Sequence, residues 1–334
     1  MEALVEWLSA FRPKLSFGYK ASTLSPYGEQ WKKMRRVLSS EILSTAMERR
    51  LHARRAEEAD HLIRLTFSKR YFVEPPLGSA GASPGPDEMD HVDAVFTVLN
   101  YLYSFCVSDY FPMLRGLDLD GHEKELMFPI VNPSNAVEWA LAEIMNKPQV
   151  MEKAMSELNT VVGKERLVQE SDIPRLNYLK SCIREAFRTR PYHPFNIPHV
   201  AMKDATLSDY FIPKDSHVII SRVGLGRNPN TWDVPLEFQP ERHLSGSSNI
   251  VLTEPDLRFM SFGTGRRGCP GVSLGSSVTM MLFARLLQGF TWTKLPGVQT
   301  IELKESTTNL ALSEPLILQA EPRLPVHLYV SVSS

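Results

Sequence analysis

The segment richest in chemistry reads Phe262-Gly263-Thr264-Gly265-Arg266-Arg267-Gly268-Cys269-Pro270-Gly271. It sets a cysteine in a glycine-rich loop directly ahead of an apolar stretch at helical spacing, Leu274, Val278, Met281 and Leu282. Loop N–H groups and the positive end of a following helix favour a thiolate, which is the form that ligates metals or acts as a nucleophile. A lone cysteine is more often a small buried apolar residue. That plainer reading suits Cys106 and Cys182, which sit among helical apolar positions, but the glycines around Cys269 leave it little apolar wall. No Cys-x-x-Cys pair exists, which speaks against a disulfide framework, a zinc site or an iron-sulfur cluster.

Other groups stand at suggestive spacings. Glu185 and Arg188 in SCIREAFR are neighbours on one helix face, opposite a stripe of Leu179, Cys182, Ile183 and Ala186. Alone they would be a solvated ion pair. Trp31 and Arg35 share a helix face, and Phe238-Gln239-Pro240-Glu241-Arg242-His243 brings further charge downstream. Gly263-x-Gly265-x-x-Gly268 also matches a dinucleotide-binding turn if LRFMSF ahead of it is a strand. Against that reading, Pro270 and Gly271 follow at once, no acid stands about 20 residues further on to take a ribose hydroxyl, and strand-helix alternation is missing.

The elements that must position these groups are mostly helical. Ser25-Pro26 makes a helix start, with the helix running through WKKMRRVL. Helical patterns follow over 47–67, 91–105, 136–145, 149–162 and 176–188, and a long helix should follow Gly271. From Pro198 the texture changes to short extended runs, ATLSDYFIP and HVIISRV, with PLILQA near the end. Residues 75–87, PPLGSAGASPGPD, form a flexible loop. The expectation is a mainly α chain with a small β region (α+β), one domain over 1–334. Hydrophobic residues make up 43% and charged residues 22%, an ordinary globular balance, and a net charge of −1 gives no general affinity for nucleic acid. The N-terminal stretch lacks the roughly 20 apolar residues of a spanning helix and has no secretory signal.

The order Phe-x-x-Gly-x-Arg-x-Cys-x-Gly, filled by Phe262, Gly265, Arg267, Cys269 and Gly271, resembles the haem-binding loop of the cytochrome P450 superfamily. The resemblance implies that Cys269 is the axial thiolate on the iron of haem b, donating electron density that favours O–O cleavage. Arg267 would pair with a haem propionate and Phe262 would shield the sulfur. Glu185 and Arg188 resemble the family's ExxR helix and Arg242 the arginine of its PER element, the three forming a buried structural cluster. Trp31 and Arg35 match the WxxxR helix, which bonds a propionate from the opposite side. His199 falls where relatives carry a propionate-binding arginine or histidine. The family takes electrons from NADPH through a flavoprotein reductase, for which Lys32, Lys33, Arg36, Arg49, Arg50, Arg54 and Arg55 offer a docking surface, or else a plain solvated face.

On the distal helix the usual acid-alcohol pair is replaced, with Asn132 where the threonine would stand in VNPSNAVEWA. Together with PERH and the GTGRRGC loop, this is similar to the plant amino-acid N-monooxygenases, which convert an amino acid to an aldoxime for glucosinolate or cyanogenic glucoside synthesis. Asn132 is the catalytic candidate, an amino acid the implied substrate, and the cytosolic face of the endoplasmic reticulum membrane the implied location, although no anchor is present here. The P450 fold is expected to be incomplete at the N-terminus and in the central helices, because GHEKELMFPIVNP leaves few residues where a helical block should stand. Pro129 and Pro133 should also interrupt the helix around Asn132. Two alternatives stay open: a shortened relative without activity, and a nucleotide-dependent oxidoreductase.

Overall fold

In the computed structural model of the chain, residues 27–50, 52, 56, 131–191, 193–196, 199–244, 250–306 and 310–329 are described. Ser25-Pro26, most of 47–67, the 75–87 loop, the 91–105 helix, Cys106 and the stretch just ahead of Val131 lie outside the described residues. The chain divides into two compact units, 1–131 and 132–334, and each is taken by itself.

In the first unit, helix α1 spans Glu29–Val37 and opens at Gly28, later than the Ser25-Pro26 start expected. Glu29 in its first turn complements the helix dipole. A π turn, Leu38–Ile42, follows. There the hydroxyls of Ser39 and Ser40 donate to the carbonyls of Arg35 and Arg36 at 2.8 and 2.9 Å, competing with the backbone ladder and loosening it. Helix α2 covers Thr45–Arg50.

The second unit begins with α3, Val131–Met145. This corrects the expectation that proline interrupts the helix around Asn132. Pro133 falls in the first turn, where its missing N–H has no intrahelical acceptor to lose. Helix α4, Pro148–Val161, starts on a proline for the same reason. Helix α5, Asn177–Thr189, is capped from α4, whose Glu157 carboxylate accepts from Tyr178 N and Leu179 N at 2.8 and 3.0 Å. Helix α7, Val272–Gly289, packs on α4 and α5. Leu158, Leu179, Ile183, Phe283 and Leu287 fill the space between them at 0% exposure. Gln288 of α7 ties this core to the loop after α4, accepting from Val168 N at 2.8 Å and donating to the carbonyls of Gly163 and Arg166.

Three antiparallel pairs make up the β part: β1 (His199–Val200) with β4 (His217–Val218), β2 (Ala205–Leu207) with β3 (Tyr210–Ile212), and β5 (Phe290–Lys294) with β6 (Leu318–Pro322). The expected HVIISRV strand stops at Val218, because the Ser221 side chain accepts from Gly224 N at 2.9 Å and starts helix α6, Arg222–Gly226. Strand β5 is new relative to the sequence reading; its Thr-Trp-Thr alternation pairs with β6 from Phe290↔Pro322 to Lys294↔Leu318. LRFMSF is not a strand, so the glycine loop after it lacks the strand that a dinucleotide-binding turn requires.

Helix α6 ends against α5 so closely that a Cβ on Gly226 would lie 2.0 Å from the Arg188 carbonyl oxygen. Replacing Gly226 by alanine must push the two helices apart and should lower stability by about 1 to 3 kcal/mol. A lower urea midpoint with an unchanged slope is expected; a parent-like midpoint would contradict the close approach.

Candidate functional site

The cysteine loop is closed at its neck by the Cys269 N–H, which donates to the Phe262 carbonyl at 2.7 Å. Within it, Gly263 and Gly265 adopt φ of +67° and +61°, left-handed values that side-chain-bearing residues rarely take. A 3-10 turn, Gly265–Arg267, follows, and a Cβ on Gly268 would crowd the Gly265 carbonyl at 3.3 Å. Helix α7 begins three residues after Cys269, with Gly271 at its cap. The Cys269 sulfur is exposed, beside the positive end of that helix. Cys182 is the contrast, fully buried on α5 with its thiol pushed up by burial and by nearby carboxylates. Phe262 wedges the loop against two helices: its ring meets Phe187 of α5 edge-on at 5.4 Å and lies 3.8 Å from where a Cβ on Gly275 of α7 would stand.

Behind the loop, α5 turns Glu185 and Arg188 toward the 235–243 segment, and both are wholly buried. Helix α5 is buried on the Glu185–Arg188 side as well as along the Leu179, Cys182, Ile183 and Ala186 stripe. Glu185 accepts from Arg188 Nη2 (2.7 Å), Gln239 N (3.0 Å) and Arg242 Nε (3.0 Å) at Oε1, and from Arg188 Nε (2.8 Å) and His243 Nε2 (2.7 Å) at Oε2. Burial pushes the carboxyl up, but the hydrogen bonds from Arg188 and His243 outweigh it and hold Glu185 down at about 2. Arg188 also donates to the carbonyls of Gly226, Pro235 and Glu237, and Arg242 to those of Asp233, Val234 and Glu237. The Trp232 ring lies 5.0 Å from the Arg188 guanidinium and 4.9 Å from that of Arg258.

The other expected residues are placed as follows. Arg267 is half-buried in the turn two residues before Cys269, and His199 is exposed on β1 opposite Val218. In the other unit, Trp31 is buried against the Tyr27 ring at 5.1 Å, and Arg35 is half-buried one turn along the same helix. Asn132 is the second residue of α3, where its backbone alone is described. Of the basic residues, Lys32 pairs with Glu29 at 2.6 Å, while Lys33, Arg36 and Arg49 are exposed. Among the described residues, no group of three His, Cys, Asp or Glu could hold a metal ion, and a metal held by Cys269 inside a larger group that brings its own donors would need no such cluster. An exposed sulfur on a narrow glycine loop suits such a planar group.

Trp232 was not singled out from the sequence, and His243 only as the last residue of PERH, with no role given to it. The signal for His243 was its place directly after Arg242 in one 3-10 turn, Pro240–His243, which aims both at Glu185. Its ring is buried between Trp232 and Phe259, with centroids at 5.8 and 6.0 Å. Burial lowers its pKa below the ordinary 6.5 in spite of Glu185, so the neutral ring donates from Nε2. A histidine kept neutral in the fold binds fewer protons than in the unfolded chain, so its contribution is present above pH 6.5 and is lost as pH falls below it. His243→Phe should therefore lower stability at pH 7 by about 1 to 3 kcal/mol, the price of an unmet carboxylate lone pair, and flatten the fall in stability from pH 7 to about 5. Unfolding curves across that range check both; an unchanged slope would contradict the neutral donor.

Residues 130–319 match the family model described as Cytochrome P450. The chain is 48% identical to a tyrosine N-monooxygenase of Sorghum bicolor, covering 95% of this chain and 74% of that one. It is 44% identical to valine N-monooxygenase 2 of Manihot esculenta and 42% to tryptophan N-monooxygenase 1 of Arabidopsis thaliana, over 95% of this chain and 76% and 75% of theirs. The sorghum alignment runs over 413 positions, more than the 334 residues of this chain, so the alignment holds positions with no counterpart here. Among solved structures, a zebra fish cytochrome P450 with progesterone superposes at a TM-score of 0.68 and 22% identity, covering 94% of this chain and 87% of that one, which speaks to the fold. The chain belongs to the cytochrome P450 family, haem-thiolate monooxygenases that receive electrons from NADPH through a partner reductase.

Proposed function

We propose that the chain, as a single domain over 1–334, N-hydroxylates an amino acid on the way to an aldoxime, with Cys269 as the residue whose thiolate would hold the haem iron. The observation that carries the reading is the exposed Cys269 sulfur at the head of α7, on a loop whose neck is closed by the Cys269–Phe262 hydrogen bond. The likeness to tyrosine, valine and tryptophan N-monooxygenases supplies the substrate class, an α-amino acid.

When bound, haem would supply the activation of dioxygen, to which a cysteine thiolate would donate electron density. The chain's own residues hold and orient. Cys269 gives one sulfur ligand; Phe262 lies beside the loop neck and limits water at that sulfur. Arg267 would offer its guanidinium and His199 a ring nitrogen to the haem carboxylates, and Trp31 and Arg35 are likewise proposed as propionate donors. Asn132 sits in the first turn of the distal helix, and its carboxamide both donates and accepts hydrogen bonds but cannot release a proton as a carboxylic acid does. Its role is then to orient water, with protons delivered from solvent. On the substrate, two successive hydroxylations of nitrogen, each consuming one dioxygen, two electrons and two protons and releasing one water, would be followed by loss of water and carbon dioxide. The face carrying Lys33, Arg36 and Arg49 is our reductase-docking surface, and the cytosolic side of the endoplasmic reticulum membrane our location. Among the described residues, no helix is long and apolar enough to cross a membrane.

The haem-loaded chain should give a ferrous carbon monoxide spectrum with the Soret band of a thiolate-ligated haem, and Cys269→Ala should abolish it. With a reductase and NADPH, mass spectrometry should detect the aldoxime of tyrosine, valine or tryptophan. A thiolate-type band retained in Cys269→Ala sinks the ligand assignment, and a loaded chain that forms no aldoxime from any amino acid sinks the substrate assignment.

A further inference from the structure

Five buried or half-buried guanidinium groups of this fold are met by carboxylates. Arg188 and Arg242 meet Glu185, Arg184 meets Glu254 at 2.5 Å, Arg190 meets Glu305 at 3.1 Å, and Arg227 also bonds Glu305. That is what desolvation of a fixed positive charge demands. Arg222 breaks the pattern. It is half-buried at the start of α6, and its Nε donates to the Asn196 side-chain oxygen at 2.8 Å. Among the described residues, no carboxylate pairs with it and no acceptor meets its two Nη atoms.

The guanidinium is nonetheless held in place. Its backbone N–H donates to the Pro194 carbonyl at 2.8 Å, and Asn196 N–H donates to the Ile220 carbonyl at 2.9 Å. Asn196, 7% exposed, also reaches the Met260 sulfur at 3.1 Å, in the segment leading into the cysteine loop. One face of the guanidinium is thus pinned between the loop after α5 and the approach to Cys269, and the other is left for something else. Its charge is felt on both sides. Burial pushes Arg222 down while the nearby Cys269 draws it up, and His193 is lowered by burial and by the Arg222 charge.

We propose that Arg222 is a carboxylate-binding residue of the Cys269 site, held ready by Asn196 and Pro194, with its Nη edge open for the anion. A guanidinium fork matches a planar carboxylate in a bidentate pair. Under the function proposed above, on which this inference rests, two carboxylates come to the site: a haem propionate and the α-carboxylate of the amino acid.

The test compares haem-loaded parent, Arg222→Gln and Arg222→Lys. One readout is the rate of haem transfer to excess apomyoglobin. The other is the spectral dissociation constant for tyrosine, valine and tryptophan, each beside the amine that lacks its carboxylate. Arg222→Gln should change one readout by about tenfold or more, as expected for a lost charge-assisted hydrogen-bonded pair. Faster haem transfer with unchanged amino-acid binding assigns Arg222 to a propionate. Weaker amino-acid binding, with amine binding and haem transfer unchanged, assigns it to the substrate. Arg222→Lys, which keeps the charge and loses the fork, should move the same readout less. The proposal is overturned if Arg222→Gln matches the parent in both readouts, or if Arg222→Lys does so when the glutamine variant yields no folded protein. A parent that takes up no haem overturns the proposed function and this inference with it.

Discussion

A carboxylate removed from water must have its lone pairs met by donors, and Glu185 satisfies that demand with five hydrogen bonds from Arg188, Gln239, Arg242 and His243. The two arginines then have N–H groups to spare, and these reach the carbonyls of Gly226, Asp233, Val234, Pro235 and Glu237. A segment with almost no regular structure is thereby fixed in place. Breaking one partner of such a buried set costs about 3 to 5 kcal/mol, against a total stability of about 5 to 15. The cluster is accordingly a condition for the fold around it.

The cluster reaches the chemistry through packing. Helix α5 carries Glu185 and Arg188 and, between them, Phe187, whose ring sets the position of Phe262. The Phe262 carbonyl closes the neck on Cys269, and the glycines between them supply the left-handed turns the loop needs. Helix α7 then starts beside the sulfur and runs back across α4 and α5. An exposed thiol at a helix start is therefore held by a core that lies entirely behind it. Arg222, pinned by Asn196, is a cation with no carboxylate partner among the described residues.

Much of this was legible in the amino-acid sequence, for physical reasons. Glycines at Gly263 and Gly265 are demanded by backbone conformation, so a loop carrying a cysteine announces itself. Helices α4, α5 and α7 follow from strong apolar periodicity, and the PER turn from its own proline. Other features depend on contacts that no local pattern records. That Glu185 and Arg188 are buried depends on what packs over α5, because a pair three residues apart reads equally well as a surface pair. Pro133 was expected to break a helix that in fact begins just ahead of it, since its effect turns on where the first turn falls. Strand β5 is defined by its distant partner β6, and Arg222 stands out only when the acids around it have been located in space.

The most direct test of the account is the ferrous carbon monoxide spectrum of Glu185→Gln, in which Cys269 and the whole cysteine loop are unchanged. If the buried carboxylate holds the thiolate in place, soluble haem-loaded protein should fall sharply, and whatever remains should lack the Soret band of a thiolate-ligated haem. A variant with parent haem content and a full thiolate-type band would contradict the dependence of the site on Glu185.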